Sequence, residues 1–345
     1  MGLIMADFLT HVLHSDAVLD RIESRRIVEG ILKKKPLYRL GAQGPDTLFY
    51  DHCFPGKGKG QLKDLGETMH RHHTAAFLKA GFERLQNLSW EEGWSDLAVY
   101  MSGFICHFTL DSLIHPYVYW ACTHWIWTKS GTPAHTTHQR VELMLDALYW
   151  KEGRGVPASR VRQRKLIDIG KHWPDTVADF LKTAFLEIYG VETTSRELDR
   201  LLTDCYRGCD LLYDPLNWKK SLVGWLDSLT AGAVRPAKVP CPSAVDDTID
   251  WANRKKRSWF HPFSEMDDRT ASADDILEEA ACKASNHINI LFSRLYRHEP
   301  IDDLFLNISY DTGLDCADPI DTDPIHAEPI HADSIDTNPS EASPT

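Results

Sequence analysis

His107, Asp111 and His115 follow one another at steps of four residues in His107-Phe108-Thr109-Leu110-Asp111-Ser112-Leu113-Ile114-His115. On a helix the three lie on nearly one face, each step rising about 6 Å along the axis. The preceding run, Leu97 to Cys106, is apolar and reads as buried helix. A carboxylate between two imidazoles on such a segment is costly to bury without compensation, and a divalent cation supplies it. The plain alternative is a core histidine hydrogen-bonded to an aspartate. Further ligands from other segments decide between the two.

Those segments exist. Leu40-Gly41-Ala42-Gln43-Gly44-Pro45-Asp46 forces a tight turn that presents Asp46 at its end. His138 and Glu142 are again at i and i+4. His11 lies on an N-terminal apolar stripe, with His14 a turn further on. His70 stands in Met69-His70-Arg71-His72-His73, where at most His70 and His73 share a face. The set holds five histidines (11, 70, 107, 115, 138) and three carboxylates (46, 111, 142). A four-coordinate zinc takes three or four protein ligands. Eight candidates therefore imply two or three ions, with Asp111 as the natural bridge.

The elements that must position these residues are helical. Apolar periodicity predicts two short helices within 7–35, one from Leu65 to about Gln86, and a long central helix. Ser89-Trp90-Glu91-Glu92 has capping-box spacing for the start of that central helix. Further helices are expected from about Ala134 to Lys151 and over 174–189, 195–212, 216–231 and 272–296, with Asp175, Ser195 and Ser272 as caps. The aromatic run Tyr117, Tyr119, Trp120, Trp125 and Trp127 reads as packing and a helix end, or as a pocket wall for a cationic group. Period-2 runs bounded by turns are lacking, so strands are few or none. From about Asn307 the chain turns acidic and proline-rich, with the five-residue theme Asp-Pro-Ile-Asp-Thr, Asp-Pro-Ile-His-Ala, Glu-Pro-Ile-His-Ala. Such a segment has too little apolar surface to offset its ordering entropy. The expected organisation is one helical domain, 1–300, and a disordered tail, 307–345.

Composition narrows the function. A net charge of -12 disfavours a nucleic-acid binder that works through a basic surface. The eight cysteines contain no CxxC pair and do not make a disulfide scaffold. Met1 to Asp7 lacks a basic n-region and a long apolar core, and no apolar run is read as approaching the roughly 20 residues of a membrane span. A cytoplasmic protein without stable membrane insertion is the expectation.

Taken in order, several motifs resemble the zinc-dependent phospholipase C family. They are Thr-His near the start, Gly-x-x-Gly-Pro-Asp, Gly-x-x-Met-His, Gly-Phe-Ile-x-His-Phe-x-Leu-Asp-Ser-x-x-His-Pro and His-x-x-x-Glu. The resemblance covers about residues 6 to 150 and continues more loosely to 296 through Trp259-x-His261-Pro262. It implies an all-α fold shared with the S1/P1 nucleases, and three zinc ions. Asp46, His70, His107 and Asp111 would hold one; His115, His138 and Glu142 a second; His11 with Asp111 a third. Secreted members complete the third site with an N-terminal tryptophan, and no tryptophan stands near the start here. The membrane-binding C-terminal β-domain of the toxin members is replaced by the acidic repeat.

The chemistry so implied is hydrolysis of a small-molecule or lipid phosphodiester. Zinc lowers the pKa of a bound water toward neutrality, and the resulting hydroxide attacks phosphorus in line. Asp46 is the candidate general base. Two other readings stay open: a single-strand nuclease on the same fold, and a metal-binding protein without turnover.

Overall fold

A single helix, α6 (Asp96–Thr123), runs through the centre of the molecule, and nearly all of its surface is covered. A helix apolar on every side must be wrapped by others. Packed on it are α1 (Phe8–Leu19), α3 (Lys35–Gly41), a 3₁₀ turn (Gly44–Tyr50), α5 (Thr74–Gln86), α7 (His138–Arg154), α9 (Asp175–Tyr189) and α11 (Ala273–Arg297), while α2 (Arg25–Leu32), α4 (Gln61–Arg71), α8 (Arg164–Ile167) and α10 (Ser195–Leu212) pack mainly on those elements. The computed structural model describes residues 8–54, 60–86, 95–123, 126–131, 133–134, 136–216, 218–219, 242–264 and 267–316. Among these, strands are confined to two-residue antiparallel pairs, Ile126–Trp127 with Pro133–Ala134 and Trp259–Phe260 with Asp268–Arg269. The fold is all-α.

Two glycines set the depth at which α3 meets α6. A Cβ on Gly41 would stand 2.2 Å from the Tyr100 carbonyl oxygen, and one on Gly103 2.0 Å from that of Tyr38. Backbones in such contact bring the turn after α3 directly over His107. There Gly44 takes φ +52°, and a Cβ on it would lie 2.3 Å from the His107 ring. The Gly-Pro-Asp turn is therefore shaped by α6 as much as by its own sequence.

Several boundaries differ from the sequence expectation. The helix expected from Leu65 to Gln86 is two helices, because His73 takes φ +57°, a left-handed conformation that cannot propagate a right-handed helix. Pro174 and Thr194 occupy the N-cap positions expected of Asp175 and Ser195, and Thr194 forms a capping box with Glu197. Ser272 does cap α11, reciprocally with Asp275. The capping box at Ser89 and most of the helix expected over 216–231 lie outside the described residues. Ser95 Oγ accepts from Ala98 N–H at the start of α6. The helix continues through Pro116 and ends at Thr123, within the aromatic run read as a helix end.

Two further corrections bear on function. At 28 residues α6 is long and apolar enough to cross a membrane, contrary to the expectation that no run approaches that length. Its most apolar window is 89% buried inside the fold, as befits a core helix. The composition change at Asn307 does not mark the end of folded chain either. Residues 307–316 are packed against α4, α5 and α6, and only the repeat from 317 onward lies outside the described residues.

Candidate metal centre

α1 brings His11 to the centre through a cap supplied from another helix. The Leu9 and Thr10 N–H groups and the Thr10 hydroxyl all donate to the Asp146 carboxylate, at 3.0, 2.7 and 2.6 Å. Asp146 lies one turn beyond Glu142 on α7, so His138, Glu142 and Asp146 repeat the four-residue ladder of α6. Its carboxylate satisfies orphan donors at the α1 N-terminus and favours the positive end of that helix.

Five of the eight sequence candidates converge in the interior. His11 Nε2 lies 3.1 Å from Asp111 Oδ1 and 3.8 Å from Asp46 Oδ2. His107 Nε2 lies 3.1 Å from Asp111 Oδ2, and the His11 and His107 rings stack at 4.8 Å. His70 Nδ1 donates to its own helix at the Gly66 carbonyl, and its Nε2 bonds to Asp46 Oδ1 at 3.0 Å. Asp46, His70, His107 and Asp111 thus stand together in the interior. His11 is not set apart with Asp111 alone, because its ring also faces Asp46 and His107.

The remaining three form a second group nearer the surface. His138 Nε2 is 2.7 Å from Glu142 Oε1, and His115 Nε2 is 3.7 Å from the same oxygen. His138 keeps 30% of its side chain exposed, whereas His107 and Asp111 have none. The Tyr119 ring meets His138 at 4.5 Å and Phe263 at 5.4 Å, forming one wall of this rim. Tyr117 and Trp120 instead pack with Trp259 in the core, and Trp127 lies under the Arg257 guanidinium. Trp125 lies outside the described residues. His14 is in neither group; it is buried with Nε2 3.5 Å from the Thr109 hydroxyl, and burial pushes its pKa down to about 3.

The electrostatics are those of a site built for positive charge. Burial opposes ionisation of Asp111, but His107, His115 and His11 around it hold its carboxyl well below the usual range. Burial pushes His107 well below the usual imidazole value, leaving it neutral and able to donate a lone pair. Burial also works against charged His70 and His115. The Asp46 hydrogen bond and charge outweigh it for His70, and the Asp111 charge and the nearby Glu142 carboxylate for His115, raising both to about 9. Glu142, buried against His138 and His115, is lowered to about 2.

Both nitrogens of His107, both oxygens of Asp111 and Nε2 of His115 are buried and make no hydrogen bond within the protein. Buried polar atoms are ordinarily bonded, and leaving several together unmade is costly. Imidazole and carboxylate in these combinations are zinc donors. The donor set fits the ion that the motifs imply.

The family model for zinc-dependent phospholipase C matches residues 8–195. This chain belongs to the zinc-dependent phospholipase C family. The matched span holds all eight candidate residues and ends well before residues 307–316. No curated protein and no solved structure matches the chain.

Sequence reasoning missed two participants. Asp146 continues the His138, Glu142 spacing by one more turn, a signal that was present. The segment around Tyr310 and Asp311 was merged with the repeat that follows it. Yet Asn307-Ile308-Ser309-Tyr310-Asp311-Thr312-Gly313-Leu314 contains no copy of that repeat.

Proposed function

We propose that the protein is a zinc-dependent phosphodiester hydrolase acting on a phospholipid-like substrate. The observation that supports this most is the pair of histidine–carboxylate groups inside the family-matched span, in which both His107 nitrogens, both Asp111 oxygens and His115 Nε2 are buried without a hydrogen bond within the protein. Asp46, His70, His107 and Asp111 would hold an inner zinc, His115, His138 and Glu142 would hold a rim zinc, and His11 with Asp111 would hold a third beside the inner one. The complement is two to three zinc ions, with Asp111 serving both inner positions where both are filled. Bound zinc supplies Lewis acidity, drawing charge from the phosphoryl oxygens and lowering the pKa of water toward neutrality.

The chain's own residues do the rest. Gly66 O fixes the His70 ring through Nδ1, so that its Nε2 faces Asp46. Asp46 is the general base and takes the proton of the attacking water at Oδ2, 3.8 Å from His11 Nε2. The substrate enters at the rim, where His138 meets solvent, and its alcohol portion lies along Tyr119 and Phe263. The net charge of -12 makes anionic membranes poor substrates, because like charges repel within a Debye length of about 8 Å.

Zinc-loaded protein should cleave short-chain phosphatidylcholine to diacylglycerol and a phosphorylated head group. It should do so faster than it acts on anionic vesicles or single-stranded nucleic acid, with the gap to vesicles narrowing as salt rises. Faster cutting of nucleic acid in the same preparation would replace this reading with a nuclease. No turnover on either would leave a metal-binding protein.

A further inference from the structure

The rim histidine His115 is oriented by a part of the chain that lies outside the family match. Its Nδ1 is 3.0 Å from the Tyr310 carbonyl oxygen, 195 residues away. A carbonyl can only accept, so Nδ1 carries the hydrogen and Nε2 is turned toward Glu142. On His70 the same task falls to a carbonyl of its own helix, Gly66. His115, in the middle of α6, takes its acceptor instead from a distant segment.

The borrowed segment is fastened at several points. Tyr310 N–H and Ser309 Oγ–H both donate to the His70 carbonyl, at 2.7 and 3.2 Å. Thr74 Oγ–H donates to Ile308 O at 2.8 Å, and Arg71 Nε donates to Asp311 Oδ2 at 2.7 Å. The Tyr310 ring is buried against His70, His107 and Phe108. Gly313 then crosses α6 at Ser112, whose carbonyl would receive the N–H of residue 116 in a regular helix, an N–H that proline does not have. A Cβ at Gly313 would stand 2.3 Å from that oxygen. The approach is open only to glycine, which also takes φ +68° there.

We propose that residues 307–316 are a positioning strap whose Tyr310 carbonyl holds His115 in the ring orientation that binds the rim metal, with Arg71–Asp311 as its clasp. The inference rests on the zinc-centre reading above. Outer partners of a metal-bound imidazole fix its tautomer and direction, and losing one typically weakens metal affinity about 10- to 100-fold.

The test uses the full-length chain with Gly313→Ala, Asp311→Asn and the control Gly190→Ala. Gly190 also has positive φ, +68°, but nothing lies within 4 Å of its Cβ position. Each protein is loaded with zinc for affinity and with cobalt(II) for its visible absorption bands, at a temperature where circular dichroism shows all of them folded. Gly313→Ala should bind its weakest zinc about 10- to 100-fold less tightly, with altered cobalt bands. Asp311→Asn, which adds no backbone strain and carries the test if Gly313→Ala does not fold, should fall toward the lower end of that range. Gly190→Ala should match the wild type in both readouts. Wild-type zinc affinity and cobalt bands in both strap variants would overturn the strap while leaving the metal centre standing. A wild-type chain that takes up no zinc would overturn the metal centre, and the strap with it.

Discussion

The inner and rim groups use the same two donor chemistries in opposite surroundings. Asp111 and His107 are sealed in the core, while His138 reaches solvent. The inner group draws on α1, the 3₁₀ turn, α4 and α6, so four elements must be in place before it exists. The rim group needs only α6 and α7 for its ligands, yet one of its rings is steered from residue 310. Depth and assembly thus trade places. The inner ligands are locked by packing, whereas the rim ligands include His138, which keeps contact with solvent.

The largest expected effect comes from removing Asp111, the carboxylate proposed to serve two inner ions. Asp111→Asn should lower activity by more than about 100-fold, beyond the range of outer-partner changes, and should reduce zinc content by at least one ion. His11→Ala should cost less, since it removes one ligand from one ion. Equal losses would mean that His11 is as central as Asp111. Kinetics beside elemental analysis decide the point.

Chelation should separate the groups in time. Under a moderate chelator the rim zinc should leave first and the inner zinc in a slower phase, read as two steps in a zinc-dye assay. Loss in a single step would erase the distinction between the two regions.

Acidity sharpens it in another way. Zinc must displace protons from His70 and His115, both raised to about 9 in the metal-free protein. Zinc affinity should therefore climb as pH rises from 6 to 9. The metal-free protein should behave in reverse. A histidine whose folded pKa is raised contributes stability that is fully present below its unfolded value of about 6.5. That contribution is lost as pH rises through 9, so the metal-free melting temperature should fall across this window.

Asp146→Ala should act on the inner group through α1. Three buried donors lose their acceptor, which costs about 1–3 kcal/mol for each group left unsatisfied. Chemical denaturation should register that loss, and inner-zinc affinity should fall while the rim phase is unaltered. Smallest of all is deletion of residues 317–345, which should leave melting temperature and zinc content unchanged. Deletion from residue 307 should not be silent, because it removes Tyr310 and Asp311.

Much of this was legible in the sequence because helices announce themselves by period. The ladder His107, Asp111, His115 and the pair His138, Glu142 lie where four-residue spacing puts them, and Gly-Pro-Asp brings Asp46 to the same place. What escaped had no residue-type signature. A main-chain carbonyl such as Tyr310 O is carried by every residue, so its role depends only on where the chain returns. Asp146 was legible in spacing, but its partners are backbone N–H groups of a helix more than 130 residues earlier. The split between α4 and α5 turns on one positive φ at His73, a choice that helical periodicity does not encode.

The distance between His115 and Tyr310 also sets a schedule. Chains are synthesised at about 5–20 residues per second, and 195 residues separate these partners. Counted from Glu142 to Tyr310, for roughly 8 to 34 s of each molecule's synthesis, every side-chain ligand from His11 to Glu142 has been made while the group that aims His115 has not. A zinc ion arriving in that interval meets a complete inner set and a rim histidine still able to turn. On the two-group reading, an ion loaded during synthesis would therefore meet the inner ligands before the chain has aimed the rim histidine.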